Sequence, residues 1–141
     1  MQESKTLNYY DEKTQEFIES TVNVDFRETQ DKFLKLLAPK AHILDFGCGS
    51  GRDTKYFLEQ GFQVTAIDGS AELCKFASAL TGIEVKQMFF QELAEIEAYD
   101  GIWACSSILH LPYGELEDVF LKMVKAVKCG GVIYTSFKYG N

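Results

Sequence analysis

The sequence predicts an α/β fold, a three-layer sandwich in which helices cover both faces of a mostly parallel sheet of about five strands. Three observations carry that prediction. Beyond residue 39, short apolar runs alternate with segments of helical period. Glycines punctuate the ends of the helical segments, and acids or glycine turns follow the apolar runs. Strands alternating with helices pair in parallel through right-handed crossovers, which distributes the helices over both faces.

The elements follow in order. Residues 9–38 are charged and periodic, with Phe17, Ile18, Val22, Val24 and Phe26 and then Phe33, Leu34, Leu36 and Leu37 as apolar positions. They predict two helices, broken near Asn23-Val24-Asp25, the second ended by Pro39. Residues 1–38 are thus expected to form a helical cap and 39–141 the core. Ile43 to Phe46 is a first strand running into Gly47-Cys48-Gly49-Ser50-Gly51. A helix from Arg52 to Glu59 ends at Gly61. Gln63 to Ile67 is a second strand ending at Asp68. Ser70 caps a helix with the stripe Leu73, Cys74, Ala77 and Leu80, closed by Gly82. Ile83 to Phe90 reads as a third strand, Glu92 to Ala98 as a weak helix or loop, and Gly101 to Cys105 as a fourth strand. Leu116, Val119, Phe120, Met123, Val124 and Val127 mark a helix stopped by Gly130-Gly131, and Val132 to Phe137 is a fifth strand.

A chain of 141 residues has room for one domain with a hydrophobic core. Its net charge of -7 and pI near 4.8 argue against nucleic acid as a partner, since phosphates need a basic footprint. Cys48, Cys74, Cys105 and Cys129 form no C-x-x-C pair, and only two histidines accompany them, so no metal site is expected. The N-terminus lacks a secretion-signal pattern, and no apolar run approaches membrane-spanning length. A reduced, soluble, cytoplasmic protein is the expectation.

Ligands of such sheets bind beyond the carboxyl ends of the strands. That rule selects residues 45–51, 68–70, 90–92 and 104–110. Gly47, Gly49 and Gly51 alternate between a strand and a helix, where the backbone approaches a ligand closely. Asp45 ends an apolar strand, where a carboxylate needs a cationic group or backbone amides as partners. A locally hydrogen-bonded turn is the simpler alternative. Asp68, 21 residues beyond Gly47, can accept hydrogen bonds from both hydroxyls of a ribose. A nicotinamide dinucleotide is the rival ligand. Its G-x-G-x-x-G fingerprint would put the third glycine at position 52, which is Arg52, and Asp45 would face the pyrophosphate unfavourably.

These residues resemble the class I S-adenosylmethionine-dependent methyltransferases. Ile43-Leu44-Asp45-Phe46-Gly47-Cys48-Gly49-Ser50-Gly51 is similar to their glycine-rich first motif, and Val64-Thr65-Ala66-Ile67-Asp68-Gly69-Ser70 to their second. Tyr99-Asp100-Gly101-Ile102-Trp103-Ala104 resembles the fourth-strand segment, and Leu121 to Ile133 the helix, turn and fifth strand. The resemblance implies a Rossmann-like sheet of order 3-2-1-4-5 and S-adenosylmethionine as cofactor. By the same resemblance, Asp45 and the backbone around Gly47, Cys48, Gly49 and Gly51 hold the methionine part, and Asp68 the ribose. Gly69 and Ser70 lie beside the adenine, and Gln91 or Glu92 holds its amino group. Cys105 and Ser106 line the methionine side. Arg52 and Asp53 reach the same ligand, with a solvated helix surface as the alternative for Arg52. Tyr10 resembles an aromatic that folds over the cofactor, against a simple packing role.

The resemblance implies methyl transfer to a small-molecule acceptor, in which the protein chiefly aligns the acceptor and excludes water. His110 is the histidine placed to act as a general base, with structural packing as its alternative; His42, before the first strand, is expected to be structural. Family members continue with two further strands. A shortened chain, a homodimer covering the open fifth strand, and a short protein that binds the cofactor without transferring methyl are the explanations, and the aggregation hazard of an uncovered strand favours the first. The non-catalytic binding module and a nicotinamide-linked oxidoreductase are the competing functions.

Overall fold

The computed structural model describes residues 26–105 and 111–136. Helix α1 (Arg27–Leu34) precedes strand β1 (His42–Phe46), α2 (Arg52–Glu59), β2 (Gln63–Asp68), α3 (Ala71–Thr81) and β3 (Lys86–Gln87). A 3-10 turn (Phe90–Glu92), β4 (Tyr99–Cys105), α4 (Tyr113–Ala126) and β5 (Val127–Ser136) follow. The five strands form one parallel sheet in the order β3-β2-β1-β4-β5, as the resemblance implies. The first of the two helices expected at the N-terminus lies outside the described residues.

Alternation along β1 divides the core between two faces. Leu44 and Phe46 point with Ile67, Ile102 and Ala104 toward Val119, Met123 and Ala126 of α4. Ile43 points the other way, with Trp103, toward Phe33 and Leu34 of α1 and Phe57 of α2. Ala66 and Val85 pack on Cys74 and Ala77 of α3. The helix of the expected N-terminal cap therefore shares the core of the sheet. Gly101 makes that possible, because a Cβ there would stand 2.8 Å from Phe33 Cζ.

Several boundaries differ from the sequence expectation, each for a local reason. Helix α1 ends at Leu34, well before Pro39, as the Leu36 and Leu37 amides tighten onto the carbonyls of Phe33 and Leu34, three residues back. His42 is the first residue of β1, its backbone N–H donating to Asp100 Oδ2 at 2.8 Å. The run 83–90 pairs only at Lys86 and Gln87, against Ile67 and Asp68. Helix α4 stops at Ala126, where Val127 becomes extended. Gly130 and Gly131 lie inside β5, at an irregularity where the register against β4 moves from Tyr99↔Val127 to Gly101↔Val132. Gly130 takes φ +83°, and a Cβ on Gly131 would meet Val127 Cγ2 at 2.6 Å and the Asp100 carbonyl at 2.7 Å. These glycines build a bulge. Among the described residues no helix is long and apolar enough to cross a membrane.

Candidate functional site

The carboxyl ends of β1 and β2 bring the glycine turn and Asp68 together. Gly47 and Cys48 both donate their amides to the Ile67 carbonyl, at 3.1 and 2.9 Å. Gly49 N–H donates to Asp68 Oδ2 at 2.8 Å, and Ser70 N–H to Asp68 Oδ1 at 2.9 Å. Gly51 N–H closes onto the Cys48 carbonyl at 3.0 Å. Gly47 and Gly49 take φ of +87° and +58°, which explains glycine at both. An ionised carboxylate accepts about four hydrogen bonds, so holding the turn is compatible with Asp68 also receiving hydroxyls of a sugar.

The direction of these bonds bears on what the turn can hold. A pyrophosphate needs backbone N–H groups aimed at it, and the amides of Gly47, Cys48, Gly49 and Gly51 all point back into the protein. Those four amides are therefore not aimed at an anion, and the carboxyls beside the turn favour a cationic group instead. Asp45 adds to the same polarity. It is 1% exposed and accepts the Thr54 hydroxyl at 2.6 Å. Burial, reinforced by the charge of Asp53, pushes its carboxyl well above the ordinary carboxylate range, against the Thr54 hydrogen bond. A cationic ligand group beside it would reverse that shift.

Asp53 is held differently. Its Oδ1 accepts Gln30 Nε2 at 2.6 Å and Arg52 Nε at 3.0 Å, and its Oδ2 accepts Arg52 Nη2 at 2.9 Å and Trp103 Nε1 at 2.9 Å. Those four donors fill the acceptor capacity of a carboxylate. Arg52 lies with its guanidinium carbon 4.8 Å from the Phe26 ring centre and with Nη2 4.0 Å from Cys105 Sγ. The pair thus ties α1, α2 and β4 to one point below the turn.

The remaining predicted residues divide clearly. Gly51 takes φ +95°, and a Cβ would stand 3.1 Å from Ala77 Cβ and 3.2 Å from Thr81 Cγ2; its glycine serves the contact with α3. Cys48 is buried beside Asp45 and Asp68, and burial first, then both acids, raises its thiol well above the usual value, so it lines the turn as a neutral thiol. Ser70 caps α3 by accepting Leu73 N–H at 3.3 Å. Gly69 lies between Asp68 and that cap, its carbonyl accepting Gln87 Nε2 at 3.2 Å. Gln91 donates from Nε2 to Glu115 Oε1 at 2.7 Å, and exposed Glu92 turns back to accept Phe89 N–H at 2.7 Å. Tyr10, Ser106 and His110 lie outside the described residues. The sequence reading missed Gln30, Thr54 and Trp103. A glutamine on the buried side of an amphipathic helix and the single tryptophan of the chain were the available signals. Among the described residues no group of three or more His, Cys, Asp or Glu could hold a metal ion.

A sequence model of the methyltransferase domain family matches residues 43–131, more than half of the chain. The chain belongs to this family. YqeM of Bacillus subtilis, whose own methyltransferase assignment is provisional, is 30% identical over 113 residues, covering 72% of this chain and 46% of YqeM. The ubiquinone biosynthesis O-methyltransferase of Rickettsia akari is 32% identical over 102 residues, covering 69% of this chain and 40% of that protein. This methyltransferase domain therefore spans less than half the length of these curated relatives. Among solved structures, a TehB-like S-adenosylmethionine-dependent methyltransferase from Corynebacterium glutamicum superposes with a TM-score of 0.75 at 20% identity, covering 97% of this chain and 75% of that one. At that identity the likeness establishes the fold, which is that of the class I methyltransferases.

Proposed function

We propose that this chain binds S-adenosylmethionine across the Asp45–Gly51 turn and Asp68, and that the protein it represents transfers the methyl group to a small-molecule acceptor. The observation that carries the reading is the polarity of the turn. The amides of Gly47, Cys48, Gly49 and Gly51 are engaged inside the protein, and the buried carboxyl of Asp45 stands beside them. S-adenosylmethionine supplies a methyl group on a positively charged sulfur, which an aligned acceptor displaces directly.

In this reading Asp45 and the carbonyls of the turn receive the ammonium of the methionine part, and Asp68 receives the ribose hydroxyls while it holds the amides of Gly49 and Ser70. Asp53 is a positioning residue, since it fixes Arg52 and Trp103 beneath the ligand without a position left to contact it. A small acceptor accords with the acidic chain, and the Rickettsia akari relative is named for ubiquinone biosynthesis. Titration calorimetry of the full chain with S-adenosylmethionine and with NAD tests this. One-to-one micromolar binding of the first and none of the second is expected. Binding of NAD in its place overturns the reading.

A further inference from the structure

Resting on that reading, we propose that the methyl acceptor carries a carboxylate, that it occupies the cavity beside the start of α1, and that Arg52 receives its carboxylate. The start of α1 belongs to the ligand-bearing end of the sheet. The chain leaves α1 to enter β1 at the amino end, where Phe33 lies over Gly101, so the first residues of α1 stand at the carboxyl end. Two contacts fix them there: Gln30 Nε2 donates to Asp53 Oδ1 at 2.6 Å, and the Phe26 ring carries the Arg52 guanidinium at 4.8 Å. An open cavity of about 490 Å³ borders this helix start, with Phe26, Arg27, Glu28 and Thr29 on its wall. That is the size of a small-molecule pocket.

Arg52 supplies the charge. Its Nε and Nη2 hold Asp53 at 3.0 and 2.9 Å, which occupies one edge of the planar guanidinium. The edge formed by Nη1 and Nη2 stays open. Among the described residues Nη1 meets no protein acceptor, and beyond Asp53 Nη2 meets Cys105 Sγ at 4.0 Å. The side chain is 21% exposed, so a ligand can reach that edge. A guanidinium edge matches a carboxylate, which accepts two parallel N–H bonds from it.

Phe26 joins the two features, since it borders the cavity and bears the guanidinium. Arg27 and Glu28 on the cavity wall are exposed and opposite in sign, so the choice of ligand falls to Arg52. Asp53 against the guanidinium and Glu28 on the wall disfavour a second negative charge, which selects a carboxylate over a phosphate. Arg52 follows Gly51 directly, so an acceptor held by it lies beside the turn that receives the methionine part. That part of the cofactor carries a carboxylate of its own, and the experiment separates the two.

The test is titration of the full chain, saturated with S-adenosylhomocysteine, with benzoate, benzamide and phenyl phosphate. Wild type is expected to bind benzoate at least about tenfold more tightly than either of the others. Thr29→Trp fills the cavity, and Arg52→Lys keeps a cation for Asp53 without a second edge. Each is expected to weaken benzoate by about tenfold or more, and S-adenosylhomocysteine by less than about threefold. The proposal is overturned, and the cofactor reading left standing, by a wild type that binds no benzoate or binds benzamide or phenyl phosphate as tightly. Benzoate binding unchanged in Thr29→Trp overturns it too. So does an Arg52→Lys chain that loses S-adenosylhomocysteine as much as benzoate, which would give the guanidinium to the carboxylate of the cofactor. A folded wild type that binds no S-adenosylhomocysteine overturns both.

Discussion

The two ends of the sheet treat buried polar groups in opposite ways. At the amino end, the His42 backbone is held by Asp100, its ring bonds Thr65 Oγ1 at 2.8 Å, and the Tyr99 ring packs edge-on at 5.0 Å. Lys128 pairs with Asp100 at 3.5 Å. These are half-exposed contacts that close one segment onto another. At the carboxyl end, Asp45, Asp53 and Asp68 are 1%, 6% and 8% exposed, and carboxylates are rarely buried so deeply unless they are paired. Asp53 has an arginine. Asp45 accepts the Thr54 hydroxyl and, buried beside Asp53, holds its proton more tightly than an ordinary carboxyl. An arrangement that raises the free energy of a charge is one that a ligand can relieve. The comparison teaches that the amino end uses its polar groups for contacts within the protein, whereas the carboxyl end, on the function proposed above, keeps a buried carboxyl for an incoming cation.

Asp53→Ala breaks the carboxyl end most severely. It removes the common acceptor of Gln30, Arg52 and Trp103, leaving a partly buried guanidinium and two buried N–H donors without their partner. Removing one member of a buried ion pair destabilises by about 3–5 kcal/mol. Urea unfolding with a midpoint matching wild type would mean the network is ornamental.

Asp68→Ala comes next and separates binding from folding. The expected loss of cofactor affinity is at least about 100-fold, since two charge-assisted hydrogen bonds to a ribose contribute about 1.5–3 kcal/mol each. Some stability goes with it, because Gly49 and Ser70 lose their acceptor. Unchanged affinity by calorimetry would put the ribose elsewhere.

Asp45→Asn sharpens the contrast by moving stability and affinity in opposite directions. The folded pKa of Asp45 is raised, so between about 3.9, the unfolded value, and that raised value the folded state holds the extra proton. Stability is then highest below the unfolded pKa and declines as pH rises through the window. Asparagine still accepts the Thr54 hydroxyl and removes the decline. The variant should equal or exceed wild type in unfolding at pH 8 while binding S-adenosylmethionine about 10- to 100-fold more weakly. At a pH below that raised value, wild type should release a proton on binding, visible as a buffer-dependent heat. A variant that is less stable and binds normally would mean Asp45 is structural.

What the sequence made legible was the part governed by short-range chemistry. Gly47 and Gly49 need positive φ, Ser70 and Gly82 cap the two ends of α3, and Asp68 follows a strand, all of which a local pattern reveals. The strand order came through resemblance. The boundaries of β3 and β5 were hidden because they depend on partners: Met88 and Phe90 have strand-like alternation, yet their neighbours are the core and the 3-10 turn. The Gly130-Gly131 pair has the composition of a helix stop and works as a bulge because of Val127 and the Asp100 carbonyl. The partners of Asp53 and Gln91 were hidden for the same reason, since Gln30, Trp103 and Glu115 lie 23, 50 and 24 residues away. No local rule points to those contacts.

The smallest effect belongs to the amino end, and it tests whether that end is as inert as its geometry implies. The His42 amide draws the Asp100 carboxyl below its usual value, more than its slight burial raises it, and Lys128 adds to the effect. A depressed carboxylate contributes stability above about pH 3.9 that is lost as pH falls through the lower folded value. Its side chain is 37% exposed, so screening keeps the contribution under about 1 kcal/mol. His42 is shifted down by burial, with Asp100 opposing and Lys128 assisting. Its contribution is present above about pH 6.5 and lost as pH falls through the lowered folded value. Asp100→Asn removes the opposing charge, so the imidazole should titrate at still lower pH by nuclear magnetic resonance, with cofactor affinity unchanged. An altered affinity would couple the two ends of the sheet, and the division of labour between them would fail.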